Sequence, residues 1–530
     1  MKRLLLEFFT GELAREVGLI EEGGAADPGE SVDSLITGLE YDSRKVKPGN
    51  IYFALPGLHT DGHRFIPQAI ANGAAVIVHQ DEVPEHSPGI RYLRVRDSRF
   101  AMSPLSAAFY DYPARKLTLI GVTGTEGKST TVYLIYQLLE LAGKKAGFIS
   151  TVQYSDGTGE TWNPEHQTTP EAVTIHRLLS DMAANGAGYG VIEASSHGLS
   201  PKTNRLGDVA FDAAVMTNVT HEHLEFHGTW EQYRSDKANL FRALEKGDHL
   251  TSHSPAPSFG VVNADDPSAD FFAAIAEGAA TAHKTYTYST RSNTADLSLR
   301  RIESDVSGNS YEVLIRATGE AITIRDRLPG AFNAGNVLAS LLTVSGLLSI
   351  PVKDLVPLVM RLKPVRGRMT AIQKGQPFDV FVDYAHTPSS FETIFPPLRN
   401  GLNKTGGRLI SLFGSAGERD TKKRSEQGRI ASQWSDLVFL TDEDPRGEVP
   451  MDILEEIAKG CVTRKRGEDL FLIPDRPTAI RKAFSLACPG DIVLLLGKGH
   501  ENSIIYAKET RPYDEIAEAE TALAEMGWKG

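Results

Sequence analysis

Residues Lys116–Ser129 read K-L-T-L-I-G-V-T-G-T-E-G-K-S, an apolar run that passes into a glycine-rich turn. Lys116–Val122 has the composition of a buried strand, and Ser129–Ala142 reads as a helix stopped by Gly143. A strand, a glycine turn and a helix in that order form a phosphate-binding loop. Glycines let backbone N–H groups approach phosphate oxygens, and the helix N-terminus favours negative charge. Lys128 would then reach the β and γ phosphates, and the Ser129 hydroxyl would sit on Mg2+. The spacing is unusual. The common nucleotide-binding loop has a glycine where Val122 stands; here the glycines are Gly121, Gly124 and Gly127.

Strand and helix keep alternating beyond the loop. Gly190–Ala194, Ala213–Asn218 and Phe259–Asn263 read as strands of a parallel sheet covered by helices. From about Pro364 a second alternating block follows, with strands in Val380–Ala385, Arg408–Gly414, Asp436–Asp442, Asp469–Pro474 and Asp491–Gly497. Before the loop, Ile51–Leu55 and Ala75–Val78 read as strands, and Phe65–Asn72 between them as a helix stopped by Gly73. Thr251–Ser258 reads as a polar surface loop. The expected fold is α/β with three domains, 1–115, 116–363 and 364–530. The central one has a P-loop-type, mainly parallel sheet with helices on both faces.

Bulk properties exclude several classes. A chain of 530 residues with 41% hydrophobic and 23% charged residues can build cores for about three domains. A net charge of -12 argues against a nucleic-acid binder. Two cysteines, Cys461 and Cys488, make no disulfide framework or cysteine metal site, which fits a cytoplasmic protein. Lys2 and Arg3 precede an apolar run, but Glu7 interrupts it and no small-residue cleavage site follows. Leu4, Leu5, Phe8, Phe9 and Leu13 instead suit one face of a helix. No apolar run is long enough to span a membrane.

The loop variant G-x-x-G-T-x-G-K-S-T resembles that of the Mur ligase family, which includes folylpolyglutamate synthase. Further segments resemble the family's motifs in order. They are Glu193–Leu199 (E-A-S-S-H-G-L), Thr217–His223 (T-N-V-T-H-E-H), Asn263–Asp266 (N-A-D-D), Gly330–Asn336 (G-A-F-N-A-G-N) and Asp383–Pro388 (D-Y-A-H-T-P). Asp42–Arg44, Pro48–Gly49, Asp61–His63 and Gly73–Ala74 resemble the nucleotide-sugar domain of the muramoyl-peptide ligases, a domain that folylpolyglutamate synthases lack. Gly414–Asp420, Glu443–Arg446 and Gly497–Glu501 resemble G-C-G-G-D-R-D, D-N-P-R and G-K-G-H-E of the ligases that add the third peptide residue.

The resemblance implies an N-terminal nucleotide-sugar domain and a C-terminal Rossmann-like domain. It also implies ATP-dependent addition of a free diamino acid to UDP-N-acetylmuramoyl-L-alanyl-D-glutamate, a step of peptidoglycan synthesis. The D-glutamate γ-carboxylate would take the γ-phosphoryl group, and the incoming amine would displace phosphate from the acyl phosphate. Two Mg2+ ions are implied, with Ser129, Glu193, His223 and Lys237 as ligands, Lys237 as N6-carboxylysine. Lys128, Lys237, His223 and Arg368 become catalytic. Gly124, Thr125, Gly127, Lys128, Ser129, Thr130, Asn263, Arg368 and Asp383 become the ATP site. Arg368 and Asp383 belong to the third domain, which implies closure over the nucleotide. Ser43, Thr168, Thr169, Ser195 and Arg205 would hold the muramoyl peptide, but Leu199–Arg205 is about two residues longer than the family pattern, which unsettles Arg205. Arg419, Asp444, Arg446, Gly497 and Glu501 would hold the diamino acid. A monomer is assumed.

Other readings make different demands. A folylpolyglutamate synthase-like ligase would lack the first hundred residues, a P-loop kinase would show the common loop spacing, and a non-catalytic scaffold could have lost Lys128, Glu193, His223 or Lys237. Within the ligase reading, the amino acid turns on Asp444, which replaces a neutral amide of the motif. An anion beside Arg446 would compete for its charge and repel a distal carboxylate; at ~4 Å and an effective dielectric of ~20 such a pair interacts by about 4 kcal/mol. That favours L-lysine or L-ornithine over meso-diaminopimelate.

Overall fold

A computed structural model describes residues 2–23, 35–57, 60–165, 167–220, 224–246, 257–278, 283–305 and 308–530. Three of its sheets have five strands or more. In the first the order is Leu19–Gly23, Arg91–Val95, Ala74–His79, Asn50–Phe53, Gly38–Glu40, parallel except for the Leu19–Gly23 edge. The expected helix is Ile66–Ala71, entered through a 3-10 turn at Gly62–Phe65. The single helix expected at the N-terminus is corrected to two, Leu5–Phe8 and Gly11–Glu16. Thr10 breaks the run: its backbone is extended and its hydroxyl accepts the Leu13 N–H, which starts a new helix. Leu5, Phe8, Phe9 and Leu13 are still buried, while Leu4 is exposed.

The central sheet is mainly parallel. The strands Ala146–Ile149, Tyr189–Glu193, Thr118–Thr123, Ala213–Met216, Phe259–Asn263 and Lys284–Ser289 lie side by side in that order, all parallel. An antiparallel pair, Gln153–Ser155 and Glu160–Trp162, forms one edge, and Leu297–Asp305, Gly308–Ile315 and Glu320–Asp326 complete the order at the other. Strand side chains alternate between faces. Leu119, Ile192, Ala214, Met216 and Val262 pack with helices Ala172–Ala184, Trp230–Arg242 and Ala269–Glu277. Their neighbours Ile120, Val191, Val215 and Val261 are buried as well, so both faces are covered, as parallel sheets require. Helix Lys128–Leu141 ends at Ala142 with Gly143 left-handed behind it, as its sequence stop indicates.

The third sheet runs Thr370–Ile372, Asp379–Asp383, Ile492–Leu496, Leu409–Phe413, Leu437–Leu440, Leu470–Leu472, with only the first strand antiparallel. Phe381, Leu494 and Val438 face helices Pro388–Thr405, Lys422–Trp434 and Pro450–Ala458. Val382, Leu495 and Phe439 face Arg476–Leu486 and Glu515–Glu525. This is a doubly wound sheet, and its strand order reverses beside Ile492–Leu496.

Backbone packing groups the chain into two compact units. One comprises Met1–Arg300, Val313–Ile322 and Gly335–Val359, the other Arg301–Glu312, Thr323–Ala334 and Met360–Gly530. Among the described residues no helix is long and apolar enough to cross a membrane.

One buried ion pair shapes the third sheet's functional end. Arg476 and Glu515 are both 0% exposed, joined by Nε to Oε2 at 2.8 Å and Nη2 to Oε1 at 2.7 Å. The remaining guanidinium donors bond the Asp442 carbonyl at 3.0 Å and the Leu496 carbonyl at 2.7 Å, at the ends of two strands. Removing one partner strands the other charge in an apolar interior, so Arg476→Met is expected to lower unfolding free energy by about 3–5 kcal/mol in urea titration. Arg476→Met combined with Glu515→Leu is expected to recover most of that loss; an equal loss in both variants would show that the pair's charge is not what matters.

Candidate functional site

The loop after Thr118–Thr123 leaves the sheet at its carboxyl edge, where ligands of parallel α/β sheets collect. Gly124 has φ +153° and a Cβ there would stand 1.9 Å from Thr217 Oγ1, so no larger residue fits. The loop is pinned from the next strand: Asn218 accepts the Thr125 N–H through its carbonyl at 2.8 Å and the Glu126 N–H through Oδ1 at 2.9 Å. Gly127 is left-handed (φ +81°) and opens helix Lys128–Leu141. Lys128 curls back to donate to the Thr125 carbonyl at 2.7 Å, while Thr130 is half-buried on the first turn.

Ser129 is buried and its hydroxyl donates to Glu193 Oε1 at 3.0 Å; the Thr151 N–H donates to Oε2 at 2.8 Å. Glu193 is 1% exposed, and no cationic side chain among the described residues pairs with it. A hydroxyl and a buried carboxylate with uncompensated charge fit a hard divalent cation. Lys237, on helix Trp230–Arg242, is 2% exposed; its ammonium donates to the Gly124 carbonyl and lies 4.5 Å from the Tyr233 ring centre. His223 lies outside the described residues, as do His166 and residues 251–256 of the expected surface loop.

A cavity of about 310 Å³ opens beside the loop, lined by Lys128, Thr168, Thr169, Ser195, Arg205 and Lys237 among others. Thr169 is fully buried. Its hydroxyl donates to the Glu193 carbonyl at 2.8 Å and accepts the Ser195 N–H at 2.9 Å, tying one wall to the strand end. Arg205 reaches this cavity despite the longer segment before it. It donates to the Thr169 carbonyl at 2.8 Å and to Glu171 Oε1 at 2.7 Å, and Arg99 meets the same carboxylate at 3.3 Å. Asn263 lies on the neighbouring strand end, its amide held by the Thr217 carbonyl at 2.8 Å. Ser43 is in the first sheet's unit, buried, with its hydroxyl donating to Gln68 at 2.9 Å; only its lone pairs remain to receive a ligand.

The third sheet gathers its own group at strand carboxyl ends. Asp383 accepts the Met369 and Ala385 N–H groups, both at 2.7 Å, and burial raises its pKa against the pull of Arg368. Arg368 stacks 4.9 Å from the Tyr384 ring centre and keeps a buried Nε without a partner. Gly497 takes φ +98°, with Glu443 Oε2 only 2.9 Å from where a Cβ would stand. Arg446 is half-buried and Arg419 exposed on the preceding loop.

Asp444 requires a correction. It does not sit against Arg446. Its Oδ1 accepts from Lys498 Nζ at 2.9 Å and from the Ile505 N–H at 2.9 Å, and Glu501 closes on the same ammonium. Lys498 is 0% exposed; a buried cation draws in both carboxylates because no water can compensate it. Burial works against the Lys498 charge, but Glu501 and Asp444 outweigh it and raise its pKa. The Glu501 carboxyl is raised by burial and by Asp444 while Lys498 opposes. Sequence reading passed over Lys498, although it stands inside a quoted motif, and Glu171, which no motif marks.

Residues 122–344 match the Mur ligase middle domain, 367–499 the Mur ligase glutamate ligase domain and 35–110 the Mur ligase family catalytic domain. UDP-N-acetylmuramyl-tripeptide synthetase of Treponema denticola is 52% identical over 92% of this chain and 94% of its own. UDP-N-acetylmuramoyl-L-alanyl-D-glutamate–2,6-diaminopimelate ligase of Caldanaerobacter subterraneus is 35% identical over 92% and 95%. A solved structure of a ligase with that second name aligns at TM-score 0.59 and 28% identity, over 95% of this chain and 98% of its own.

Proposed function

We infer the reaction from one premise: the chain belongs to the Mur ligase family. It is an ATP-dependent ligase that adds a diamino acid to the D-glutamate γ-carboxylate of UDP-N-acetylmuramoyl-L-alanyl-D-glutamate in peptidoglycan synthesis. The observation that carries this reading is the cavity that puts Lys128 of the phosphate loop in one wall with Thr168, Thr169, Ser195 and Arg205. Polar groups suited to a carboxylate-bearing substrate thus stand beside the group suited to a γ-phosphate. A folylpolyglutamate synthase-like ligase does not explain the first sheet with its 35–110 match.

The chemistry follows from what a carboxylate cannot do unaided. It must first be phosphorylated, so its oxygen takes the γ-phosphoryl group and ADP leaves. The amine then forms the C–N bond and phosphate departs. Lys128, Ser129 and the loop N–H groups hold the phosphates, and Arg205, anchored on Glu171, offers charge to the substrate carboxylate. Arg368, Asp383 and Asn263 are assigned to ATP by their motifs. Ser129 and Glu193 would hold one Mg2+, which when bound supplies charge neutralisation to the phosphates. We assign a second Mg2+ to His223 and to Lys237 as a carbamate: a buried ammonium among phosphates and metal would repel the cation, whereas a carbamate would attract it. We also propose three functional domains, 1–115, 116–363 and 364–530; each of the three large sheets falls inside one of them.

For the amino acid we propose L-lysine or L-ornithine. In the motif this segment resembles, an amide stands where Asp444 is, so Lys498 and Glu501 would cancel. Here two carboxylates, buried Asp444 and half-buried Glu501, face the one buried ammonium of Lys498. A second carboxylate beside one ammonium suits a distal ammonium on the ligand and disfavours an added distal carboxylate.

Purified protein is expected to release ADP only when the muramoyl dipeptide nucleotide is present and to yield the tripeptide nucleotide by mass. Lys128→Ala is expected to cut turnover about a hundredfold or more with an unchanged urea midpoint; a near-normal rate would remove the loop lysine from the mechanism. Lys237→Ala should be severely impaired and recover in part with added formate or acetate, which restore an anion; no recovery, together with an unmodified Lys237 mass in native protein, would overturn the carbamate. In competition assays kcat/KM for L-lysine or L-ornithine should exceed that for meso-diaminopimelate, and Asp444→Asn should narrow the gap. A diaminopimelate preference of more than about tenfold, or 1.4 kcal/mol, would defeat the charge argument.

A further inference from the structure

Three buried side chains that the reaction above leaves unused form a chain ending in the same cavity. Asp236 Oδ2 lies 2.7 Å from His227 Nδ1, and His227 Nε2 lies 3.0 Å from Ser196 Oγ. Asp236 and Ser196 are each 2% exposed and His227 is 4% exposed. Ser196 lines the cavity with Lys128 and Lys237. The far end is fixed: Gln232 Nε2 donates to Asp236 Oδ1 at 2.8 Å, on helix Trp230–Arg242. The His227 ring is held edge-on by Tyr233 at 5.2 Å, His197 at 5.3 Å and Phe226 at 4.7 Å between ring centres.

The proton positions follow from donor and acceptor chemistry. A carboxylate only accepts, so the ring proton sits on Nδ1 facing Asp236. Nε2 is then an acceptor and takes the Ser196 O–H. That leaves the Ser196 oxygen with lone pairs at the cavity wall, ready for an N–H donor. The order of groups is that of a serine–histidine–aspartate relay, which is recognised by geometry and not by sequence position.

We propose that Ser196, backed by His227 and Asp236, is the proton acceptor for the incoming amine in the amide-forming step. The proposal rests on the ligase reading above. An amine that attacks the acyl phosphate forms the C–N bond as the C–O bond to phosphate breaks, and its nitrogen must shed one proton. That proton passes to Ser196 Oγ while the Ser196 proton moves to His227 Nε2. The resulting imidazolium is stabilised by the Asp236 carboxylate 2.7 Å from Nδ1. Ser196 is the catalytic residue of the set; His227 and Asp236 act through it as positioning residues. Phosphorylation of the carboxylate needs no such acceptor, so the relay serves only the second half-reaction.

Hydroxylamine separates the halves. It traps acyl phosphates as hydroxamates, and its weakly basic nitrogen gives up a proton to water without a positioned base. With ATP and UDP-N-acetylmuramoyl-L-alanyl-D-glutamate, Ser196→Ala and His227→Gln are expected to form hydroxamate within about twofold of the parent protein. Peptide formation with L-lysine, L-ornithine or meso-diaminopimelate, whichever the parent uses best, should fall about a hundredfold or more, the scale of general-base catalysis. Ser196→Thr, which keeps the hydroxyl, should restore much of the rate. Equal losses in both assays would mean a merely structural role, and loss in neither would mean no role; either overturns the relay. A parent protein that makes neither product would instead overturn the ligase reading. Should His227→Gln fail to fold, Ser196→Ala, which deletes one oxygen, carries the same test.

Discussion

The parallel register that sets Glu193 opposite Val122 is the constraint on which the phosphate end of the site depends. It places the end of one strand beside the start of the glycine loop on the next. The Ser129–Glu193 hydrogen bond at 3.0 Å and the Thr169 bond to the Glu193 carbonyl at 2.8 Å can then both form. A slip of one residue would turn the Glu193 side chain to the opposite face, because strand side chains alternate. The carboxylate would leave Ser129, and Thr169 would lose its acceptor. Glycine placement resists that slip: a Cβ at Gly121 would stand 2.3 Å from Leu240 Cδ1 and one at Gly190 2.7 Å from Leu119 Cδ2, so a side chain shifted into either place would clash.

The same strand end explains why a longer segment before Arg205 does no damage to its placement. The extra residues are taken up in a turn where Thr203 N–H and Asn204 N–H both donate to the Ser200 carbonyl at 3.0 Å. Asn204 adopts φ +48°, a conformation asparagine tolerates better than most residues. Arg205 is then recaptured by Glu171 and the Thr169 carbonyl, which belong to the cavity wall. Loop length costs little when the chain is re-anchored at fixed partners on both sides.

Sequence made the fold legible wherever hydrophobic period and glycine placement agreed. Lys116–Ser129 and the five strands after Pro364 are found within a residue or two of their expected bounds. At the N-terminus the apolar face runs across Thr10, whose side chain caps a second helix, so periodicity alone merges two helices into one. What the motifs made legible at the candidate site is proximity: Lys128, Thr168, Thr169, Ser195, Arg205 and Lys237 line one cavity. What was not legible is partnership at long range. Glu171 pairs with Arg205 across 34 positions, and Lys498 with Asp444 across 54. No local pattern encodes which buried cation a carboxylate will choose. Asp444 was read against its sequence neighbour Arg446, and the fold gave it to Lys498 instead.

That choice has an energetic logic. Lys498 is wholly buried and could not remain charged alone; desolvation of an ammonium would favour its neutral form. One carboxylate would balance it, and Glu501 is three residues away on the same turn. Adding Asp444 gives the ammonium a second partner but leaves an extra anion in a site of low polarisability, which desolvation penalises. The cost is contained in two ways. The Ile505 N–H donates to Asp444 at 2.9 Å, and the Glu501 carboxyl is raised toward its neutral form. Two carboxylates thus share one ammonium, and burial with Asp444 alongside is what holds the Glu501 carboxyl above its usual range. On the proposed lysine or ornithine reading, the distal ammonium of the incoming amino acid would be the second cation that these carboxylates lack.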